Sequence, residues 1–384
     1  MHKEISNLTT KKKITFSFIA FLTFLIIFTV AINLYESIKI YYDVKKHSIW
    51  LGNVHKPDFK YGYAPVPNSF GYELYSAEPN LSYDRKIPLR YDKNGFRIPI
   101  KKTESSSITN KRPLVLALGC SFTYGAKVPA TNTYTYLVGK QLDGESINAG
   151  VSAYGLTQIL MKAKELIPKY KPDYILVQYS SWLVDRAQSY FIPTRFGRLP
   201  QPYFYEKDGK LKIHPPVFLA KEHKVSLGEY SITNPSFIEY ISFVFNTFIP
   251  LTIHDDINML LFNIKKPLGI IPKPTHNEKL IVDFVYKKIN DIAVENGSKL
   301  VIVGLGGAEQ LDMPDILYKL PNVTVVNTHD ALMKGIRTVK EYYIKYSHIR
   351  GNNPLVIVDI HPNSHAHQII ANTIVEKIKY STKM

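Results

Sequence analysis

The sequence has very little cysteine and no recognisable nucleotide-binding pattern. Cys120 is the only cysteine among 384 residues, which excludes an intramolecular disulfide and a cysteine-rich zinc site. The run Gly304-Leu-Gly-Gly307 lacks the third glycine of a dinucleotide fingerprint, so no cofactor is predicted. The formal net charge is +16, but the lysines are scattered and no nucleic-acid-binding module is present. We therefore predict no nucleic-acid partner, and we expect the charge to favour acidic surfaces such as phospholipid head groups or anionic glycans.

Three histidines near the carboxyl end of the sequence suggest a metal site at first sight. His361 and His365 are four residues apart, a spacing that can place two imidazoles on one helix face. No glutamate lies between them, so the metalloprotease pattern is absent, and no third ligand for a catalytic zinc is close in the sequence. We therefore predict no metal, with His365 at a helix start and His367 packed in the interior.

The sequence does contain a long apolar run near the amino terminus. Ile14 to Tyr35 carries no charge and is bracketed by Lys11–Lys13 and Glu36. The run is long enough to cross a hydrocarbon core as a helix, and longer than the apolar region of a usual signal peptide. We predict an uncleaved single-pass anchor in the cytoplasmic membrane, with the large carboxyl-terminal part outside the cytoplasm. A buried helix of a soluble protein is the alternative.

From about residue 113 onward, short apolar runs alternate with helical patterns. The apolar runs are at 113–119, 145–148, 173–178, 299–304 and 322–326, and the helical patterns are at 130–142, 155–167, 277–295 and 362–379. This alternation is typical of a parallel sheet with helices on both faces. The sequence therefore predicts an α/β domain with three layers, α/β/α.

The predicted organisation has four parts. Residues 1–13 form a tail, 14–35 the transmembrane anchor, 36–112 a lead-in region with short strands, and 113–384 the α/β domain. Residues 101–112 of the lead-in are predicted to be a linker. The domain carries an insert at about 187–276, in which residues 203–213 predict a β-hairpin that turns at Asp208-Gly209. The many aromatic residues of the insert could stack on sugars as part of a lid, or form a small core of their own.

Ser121 is the candidate nucleophile. It follows the apolar run Leu114–Leu118 and a glycine turn, which places it at the carboxyl end of a strand, where open α/β sheets bind their ligands. Backbone N–H groups at the start of a following helix would favour a developing oxyanion there. Cys120 is the alternative nucleophile. Successive strand residues point to opposite faces, so we expect Ser121 to face the site and Cys120 to be a packed small side chain.

The candidate base and orienting acid lie near the carboxyl end of the sequence. Asp359 and His361 follow an apolar run, and Pro362 suits the first turn of a helix, so His361 is expected in the loop just before that helix. Asp359 is close enough to accept the Nδ1 proton of His361, which leaves Nε2 to take the proton from Ser121. A helix-start role for Asp359 is the alternative.

Together these segments resemble the conserved blocks of the SGNH (GDSL-type) esterase and acyltransferase superfamily. The matching blocks are Gly119–Gly125, Asn148–Gly155 and Asp359–Asn363, and Tyr91–Arg97 resembles a segment that precedes the domain in envelope-associated members. The resemblance covers roughly residues 91–190 and 278–380. It implies a flavodoxin-like parallel sheet and a Ser-His-Asp triad.

The resemblance also implies roles for individual residues, with some departures. Ser121 would be the nucleophile, His361 and Asp359 would complete the triad, and the N–H groups of Ser121 and Gly150 would bind the oxyanion. The family usually has Asp where this chain has Cys120, and two residues rather than one between Asp and His. Ser181 stands where the family has an oxyanion-binding Asn, so it is the candidate for that role.

We therefore expect an envelope-anchored serine esterase or O-acyltransferase. Its expected substrate is an acyl ester, acetyl above all, of a cell-envelope carbohydrate, and its expected partners are the membrane and envelope polysaccharide machinery. Two alternatives remain open from the sequence. One is a catalytically impaired glycan-binding or assembly protein on the same fold, and the other is a lipid esterase.

Overall fold

The computed structural model describes residues 10–43, 50–51, 54–75, 85–100, 111–194, 197–220, 236–309, 311–351 and 355–381. Three predictions concern residues outside these ranges: the tail up to residue 9, the linker at 101–110 and the insert residues 221–235. The chain divides into two compact units. One combines residues 1–44 with 221–261, and the other combines 45–220 with 262–384.

The strands and helices are numbered in chain order. The strands are β1 (Trp50–Leu51), β2 (His55–Asp58), β3 (Gly62–Pro65), β4 (Phe70–Tyr75), β5 (Arg85–Arg90), β6 (Leu114–Leu118), β7 (Glu145–Asn148), β8 (Tyr174–Tyr179), β9 (Phe191–Thr194), β10 (Gly197–Pro200), β11 (Tyr203–Lys207), β12 (Lys210–His214), β13 (Lys299–Gly304), β14 (Val323–Asn327), β15 (His348–Arg350) and β16 (Val356–Asp359). The helices are α1 (Thr10–Asp43), α2 (Ser121–Tyr124), α3 (Tyr134–Gln141), α4 (Leu156–Tyr170), α5 (Ser181–Ala187), α6 (Phe237–Phe243), α7 (Ile249–Lys265), α8 (Glu278–Glu295), α9 (Asp315–Lys319), α10 (His329–Met333), α11 (Val339–Tyr346) and α12 (Ser364–Ser381).

The larger unit is built on a sheet of five parallel strands in the order β14-β13-β8-β6-β7. Counted from β6, this is the order 2-1-3-4-5 of flavodoxin-like sheets. All five residues of β6 are buried because the strand lies inside the sheet and is covered on both faces. The predicted parallel sheet is confirmed.

Two hydrophobic clusters fill the two faces of this sheet. Leu114, Leu116 and Leu118 of β6 belong to one cluster together with the apolar faces of α4 and α8. Val115 and Ala117 belong to the other, together with residues of α3, α11 and α12. Alternate residues of one strand thus serve opposite faces, as the pleat requires. The predicted three-layer architecture is therefore confirmed.

Two predicted helix starts differ from the structure. The last helix begins at Ser364 rather than Pro362, because the Asn363 side chain accepts the Ala366 N–H and caps the helix. The helix predicted at 130–142 is divided into a 3₁₀ turn at Ala130–Asn132 and α3. The Thr133 side chain accepts the Tyr136 N–H and caps α3, which makes a new helix start there.

The described residues of the lead-in region form no hydrophobic cluster separate from the α/β domain. β1, β4 and β5 form a small antiparallel sheet, and β2 pairs with β3. Val54, Leu89 and Tyr91 are buried in one cluster with Tyr124 and Ala126, which follow the candidate nucleophile. The lead-in region therefore packs directly on the segment that carries Ser121, within the same unit.

The insert contains the predicted hairpin. β11 pairs with β12, and Asp208 and Gly209 at the turn have φ values of 53° and 67°, both in the left-handed region that two-residue hairpin turns require. Several insert rings pack on one another. Tyr190 contacts Tyr203 and Phe262 with ring centroids 4.9 and 5.1 Å apart. This arrangement favours the interpretation of these rings as a small core.

The smaller unit contains α1 and the helical segment Phe237–Lys265 up to Leu261. This segment consists of α6, a π-helical turn at Val244–Phe248, and α7. In the described parts of the chain, two helical stretches are long and apolar enough to cross a membrane: Thr10–Lys39, with a mean hydropathy of 2.5, and Phe237–Lys265, with 1.2. The first contains the predicted anchor. The second was not predicted from the sequence.

Candidate active site

Ser121 lies where β6 ends, at the carboxyl edge of the parallel sheet. It is the first residue of the one-turn helix α2, which ends at Gly125 with a left-handed φ of 82°. A Cβ on Gly119 would lie 2.0 Å from Thr123 Oγ1 and 2.6 Å from Gln178 Oε1, so no side chain fits there. The glycine before Ser121 therefore allows α2 to turn back directly over the strand end.

The buried side chain of Gln178, near the end of β8, holds this turn. Its Oε1 accepts the Cys120 N–H at 3.0 Å and the Thr123 hydroxyl at 2.8 Å. Its Nε2 donates to Cys120 Sγ at 3.2 Å and to Ser180 Oγ at 2.9 Å. Gln178 thus fixes the backbone on both sides of Ser121. From the sequence, Gln178 is predicted only to end a strand, because no local sequence pattern indicates that its amide belongs to the site.

Asp359 and His361 form a close hydrogen-bonded pair. His361 Nδ1 lies 2.5 Å from Asp359 Oδ1, which also accepts the His361 backbone N–H at 2.8 Å. Burial raises the pKa of Asp359, but the hydrogen bonds and charge of His361 outweigh burial and hold this pKa well below its usual range. Burial lowers the pKa of His361, but the Asp359 carboxylate outweighs it and raises this pKa above 6.5. The contact through Nδ1 leaves Nε2 for proton transfer.

The pair lies beside the candidate nucleophile without a hydrogen bond to it. The His361 ring contacts the ring of Phe122, the residue after Ser121, with centroids 5.5 Å apart. Ser121 Oγ lies 3.8 Å from Cys120 Sγ, and between the described side chains of Ser121 and His361 no hydrogen bond is formed. Catalytic hydrogen bonds are often long in unliganded sites and shorten when substrate binds.

Gly150 lies in the loop after β7, next to the nucleophile helix. A Cβ at this position would lie 2.6 Å from the Tyr124 nitrogen, so the close approach requires glycine. The Gly150 N–H, however, already donates to Asn148 Oδ1 at 3.1 Å, while Asn148 Nδ2 donates to the carbonyls of Thr123 and Tyr124. Gly150 therefore serves the packing of the loop on α2, and its N–H is engaged.

Other N–H groups of the same loop are available. The Val151 N–H donates to the Gly119 carbonyl at 3.2 Å, which holds the loop beside the end of β6. Within the described chain, the N–H groups of Ser152 and Ala153 donate no hydrogen bond. Ala153 also has a left-handed φ of 62°, a conformation that favours glycine. The sequence does not indicate these two donors, because no local pattern marks which N–H groups of a loop remain without a hydrogen bond in the fold.

Ser181 is exposed at the first position of α5, directly after β8. Its neighbour Ser180 is buried and donates to the Leu305 carbonyl at 2.5 Å, so the two serines have different surroundings. The next residue, Trp182, contacts the Phe122 ring with centroids 5.2 Å apart. α5 therefore begins beside the nucleophile helix, with the hydroxyl of Ser181 exposed.

Cys120 is fully buried. Burial raises the pKa of its thiol, but the Arg186 charge and hydrogen bonds from Phe122, Trp182 and Ser121 outweigh this, and the net pKa is lowered. The same surroundings leave the sulfur no path to a substrate, because Gln178 Nε2 occupies one side of it. The expected packed role for Cys120 agrees with this burial.

His365 and His367 are each engaged in packing. His367 Nδ1 accepts the Tyr134 N–H at 3.1 Å, and burial lowers the pKa of His367 to about 3. The His365 ring stacks on Tyr346 with centroids 5.7 Å apart. In the part of the chain that is described, no group of three or more potential ligands could hold a metal ion.

Arg97, from the lead-in motif Tyr91–Arg97, is a further buried residue of this region. Its guanidinium donates to the carbonyls of Tyr124, Gly125 and Val128, which follow the nucleophile helix. The start of the motif is shaped by Asp92, whose carboxylate accepts the N–H groups of Asn94 and Phe96. The motif thus presents a buried cation to the loop behind Ser121.

A buried ion pair lies close to the Asp359–His361 pair. Lys127 Nζ lies 3.4 Å from Glu73 Oε1, and the two side chains are 4% and 7% exposed. The Glu73 charge is one of the causes that raise the pKa of His361, and the Lys127 charge is one of those that lower the pKa of Asp359. The pairing of β15 with β16 also brings His348 opposite Asp359. No sequence motif marks Glu73 for this position.

Comparisons with known proteins give likenesses in structure alone. No protein-family model matches the sequence, and no curated protein sequence matches it. TesA is 9% identical, with 70% of this chain and 98% of TesA covered at a TM-score of 0.34. A catalytic mutant of Axe2, an acetylxylan esterase from Geobacillus stearothermophilus, is 12% identical. The match covers 71% of this chain and 96% of the Axe2 chain at a TM-score of 0.36. A protein of the G-D-S-L family from Desulfitobacterium hafniense is 10% identical, with 69% and 99% covered at a TM-score of 0.29. Likenesses of this size transfer no residue role or substrate to this chain.

Proposed function

We propose that this protein is a serine esterase or O-acyltransferase with Ser121, His361 and Asp359 as its triad. The observation that carries the proposal is the 2.5 Å contact of Asp359 with His361 Nδ1, made in a loop whose histidine ring lies against Phe122, beside Ser121. The raised pKa of His361 fits a base that holds a proton during the reaction. The proposed substrate is an acyl ester of a cell-envelope carbohydrate, with acetyl as the expected acyl group.

In the first half of the reaction, Ser121 Oγ attacks the acyl carbonyl carbon while its proton moves to His361 Nε2. Asp359 keeps the imidazole oriented and stabilises the imidazolium that forms. The tetrahedral intermediate then expels the sugar oxygen, which takes the proton from His361, and the acyl group remains on Ser121. In the second half, water or an acceptor hydroxyl loses a proton to His361 Nε2 and attacks the carbonyl carbon of the acyl-enzyme. The second tetrahedral intermediate breaks its bond to Ser121 Oγ, which takes the proton from His361, and releases the carboxylic acid or the acylated acceptor.

The proposed oxyanion donors are backbone N–H groups together with one side chain. The Ser121 N–H lies at the start of α2, and the unengaged N–H groups of Ser152 and Ala153 lie in the loop held to Gly119. Ser181 is proposed to supply its hydroxyl from the start of α5. The proposed role of Gly150 is to let this loop approach α2. It is not proposed as an oxyanion donor, because its N–H donates to Asn148 Oδ1. Removal of one such donor typically costs about 3 kcal/mol of transition-state stabilisation.

Fluorophosphonate labelling of the full chain in detergent micelles tests the proposal. The reagent phosphonylates activated serines, so wild type should be labelled, and Ser121→Ala and His361→Ala should each lose nearly all label. Ser242→Ala, in an exposed serine of α6, is the matched control and should label like wild type. Label that persists in Ser121→Ala would rule out the triad. Labelled protein would then be assayed with acetylated glycans and with longer acyl esters to separate a carbohydrate substrate from a lipid.

A second candidate is a glycan-binding or assembly protein that keeps the fold without catalysis. Two observations favour it: no hydrogen bond joins the two described side chains Ser121 and His361, and an exposed Ser181 stands where the resembled family has an oxyanion-binding Asn. This candidate predicts no fluorophosphonate label in wild type together with measurable binding of an envelope glycan. The same labelling experiment therefore separates the two functions.

A further inference from the structure

The helical segment Phe237–Lys265 is called the second helix from here on. It is as long as a membrane span and apolar enough for one, but its place in the chain argues against a crossing. It is 29 residues long, with a mean hydropathy of 1.2 and 28% of its apolar window buried, whereas the apolar window of α1 is 0% buried. By composition alone it would be counted as a second crossing of the membrane. The strands before and after it decide otherwise.

The pairing of the strands on either side of the second helix limits how this helix can meet a membrane. β8 precedes it and β13 follows it, and these strands pair in parallel from Tyr174 opposite Lys299 to Tyr179 opposite Gly304. Soon after the helix ends, Thr275 already donates its N–H to the Phe204 carbonyl of β11. Strands that share backbone hydrogen bonds cannot lie on opposite sides of a bilayer, so a single helical crossing between them is excluded.

The composition of the chain before the helix argues against a return through the bilayer at that point. Between Ala220 and Ser236 the sequence has charged residues at 221, 222, 224 and 229, too many for an apolar span. Together with the strand pairing, this composition favours both ends of the second helix on the side where the sheet lies.

The second helix packs on α1 at the level where the apolar run of α1 ends. Tyr240, Val244, Phe248 and Ile249 are buried in a cluster with Val30 and Leu34 of α1 as neighbours. The Tyr240 hydroxyl also donates to the Ser37 carbonyl at 2.6 Å. A hydrocarbon core about 30 Å thick takes about 20 helical residues, so a span that begins at Ile14 reaches its far boundary near Leu34. The contact therefore lies at the proposed boundary between lipid and water.

Toward its carboxyl end, the second helix presents an apolar stripe to solvent, and this stripe continues the helix face of Ile249 and Ile253. Ile257, Leu260, Leu261 and Ile264 recur at the spacing of one helix face, and their side chains are 53%, 59%, 44% and 51% exposed. Lys265 follows at the end of the helix. His254, Asp255 and Asp256 interrupt the apolar character in the middle of the helix, which suits a surface better than the bilayer centre. An amphipathic helix of this kind, with its apolar face exposed, is typical of segments that lie in the plane of a membrane surface.

We propose that the second helix lies at the membrane surface, on the side of the sheet, and inserts its apolar stripe into the phospholipid bilayer. Its partner is the phospholipid bilayer that the anchor enters. The apolar stripe, rather than charge, carries this attachment, because the helix has Glu239, Asp255 and Asp256 against Lys265. The contact with α1 at Val30 and Leu34 holds the helix at the boundary, and the stripe adds a second, shallow membrane contact to the anchor. This attachment is independent of the chemistry proposed for Ser121.

Variants of the full chain that keep Cys120 and carry one added cysteine test this arrangement. Cys120 is fully buried, so wild type should take up no maleimide dye, and an exposed position changed to cysteine becomes the reactive thiol. Leu260→Cys and Ile264→Cys place a polarity-sensitive dye in the stripe. Asn263→Cys is the matched control, because it is exposed on the same helix but turned about 100° from Ile264. Each protein is reconstituted into vesicles of phosphatidylcholine and phosphatidylglycerol with brominated acyl chains.

The proposal expects the dyes at 260 and 264 to be quenched by the brominated lipid and shielded from aqueous iodide, and the dye at 263 to be quenched by iodide. Iodide quenching at all three positions would refute the insertion. Shielding from iodide without quenching by brominated lipid would assign the stripe to a second copy of the chain and overturn the proposal.

A sidedness measurement on sealed vesicles checks the topology separately. Ile238→Cys and Leu268→Cys place thiols at exposed positions at the two ends of the second helix, and Tyr318→Cys reports the side of the α/β unit. A membrane-impermeant maleimide should label all three from the same side of the vesicle. Labelling of the two helix ends from opposite sides would show a transmembrane helix and exclude the surface arrangement.

Discussion

Asp359→Asn tests the triad most directly, because it removes a charge at nearly constant size. The Asp359 carboxylate is the main cause that raises the pKa of His361, by a hydrogen bond and by its charge, while burial lowers this pKa. With asparagine at position 359, burial still lowers the pKa of His361, but no carboxylate at this position raises it. The amide can also donate to Nδ1 and so stabilise the wrong tautomer of the ring. The value of kcat/KM is expected to fall by about 10⁴-fold, or about 5.5 kcal/mol of transition-state stabilisation.

The assay is the release of nitrophenol from 4-nitrophenyl acetate by the full chain in micelles, followed from about pH 5 to about pH 9, the range in which histidine titrates. A general base acts in its neutral form, so wild-type activity should rise with pH through a His361 pKa above 6.5. In Asp359→Asn the plateau should fall and the residual rise should move to lower pH. Asp330→Asn, in an exposed carboxylate of α10, is the control and should leave the profile unchanged. A loss smaller than about tenfold, or a shift to higher pH, would refute the assigned role.

Two further changes test the surroundings of the triad. In Gly119→Ala the new methyl group would lie 2.0 Å from the buried Thr123 hydroxyl, so we expect a loss of about 1–3 kcal/mol in the free energy of unfolding and a larger loss of kcat as α2 is displaced. Glu73→Gln removes a charge that raises the pKa of His361, so the acid limb of kcat/KM should move to lower pH. The loss of one charge from the buried Lys127–Glu73 ion pair should also destabilise the fold by about 3–5 kcal/mol.

Each of these changes has a matched control. Gly306→Ala is the control for the glycine, because its Cβ would come no closer than 3.3 Å to a neighbouring atom. A smaller loss of stability than in Gly119→Ala and near wild-type turnover are expected. Glu165→Gln is the control for the buried ion pair, because the Lys60–Glu165 pair is about half exposed and such pairs contribute about 0–1 kcal/mol. Equal effects of Glu73→Gln and Glu165→Gln on the pH profile would contradict the coupling of Glu73 to His361. Normal turnover in Gly119→Ala would contradict the crowding argument.

Local patterns predicted much of the fold. The strand at Glu145–Asn148 and the strand at Lys299–Gly304 have the predicted bounds, and the parallel order follows from the alternation of strands with helices. The errors lie at helix starts, where the side chains of Asn363 and Thr133 cap the helices later than the apolar pattern suggests. The second helix was missed because its three central polar residues dilute its hydropathy.

The sequence by itself determined those properties that depend on neighbours along the chain. These are the apolar run of α1, the glycine turn before Ser121, and the spacing that lets Asp359 bond to His361. The tertiary structure alone decided which polar groups meet across long separations. Gln178 is 58 positions from Cys120, and Glu73 is 54 positions from Lys127. It also decided that the Gly150 N–H is engaged by Asn148, and that β8 and β13, which flank the second helix in the chain, pair in parallel. Such pairings arise when strands and loops assemble at one sheet edge, and a local pattern carries no information about partners so distant in the chain.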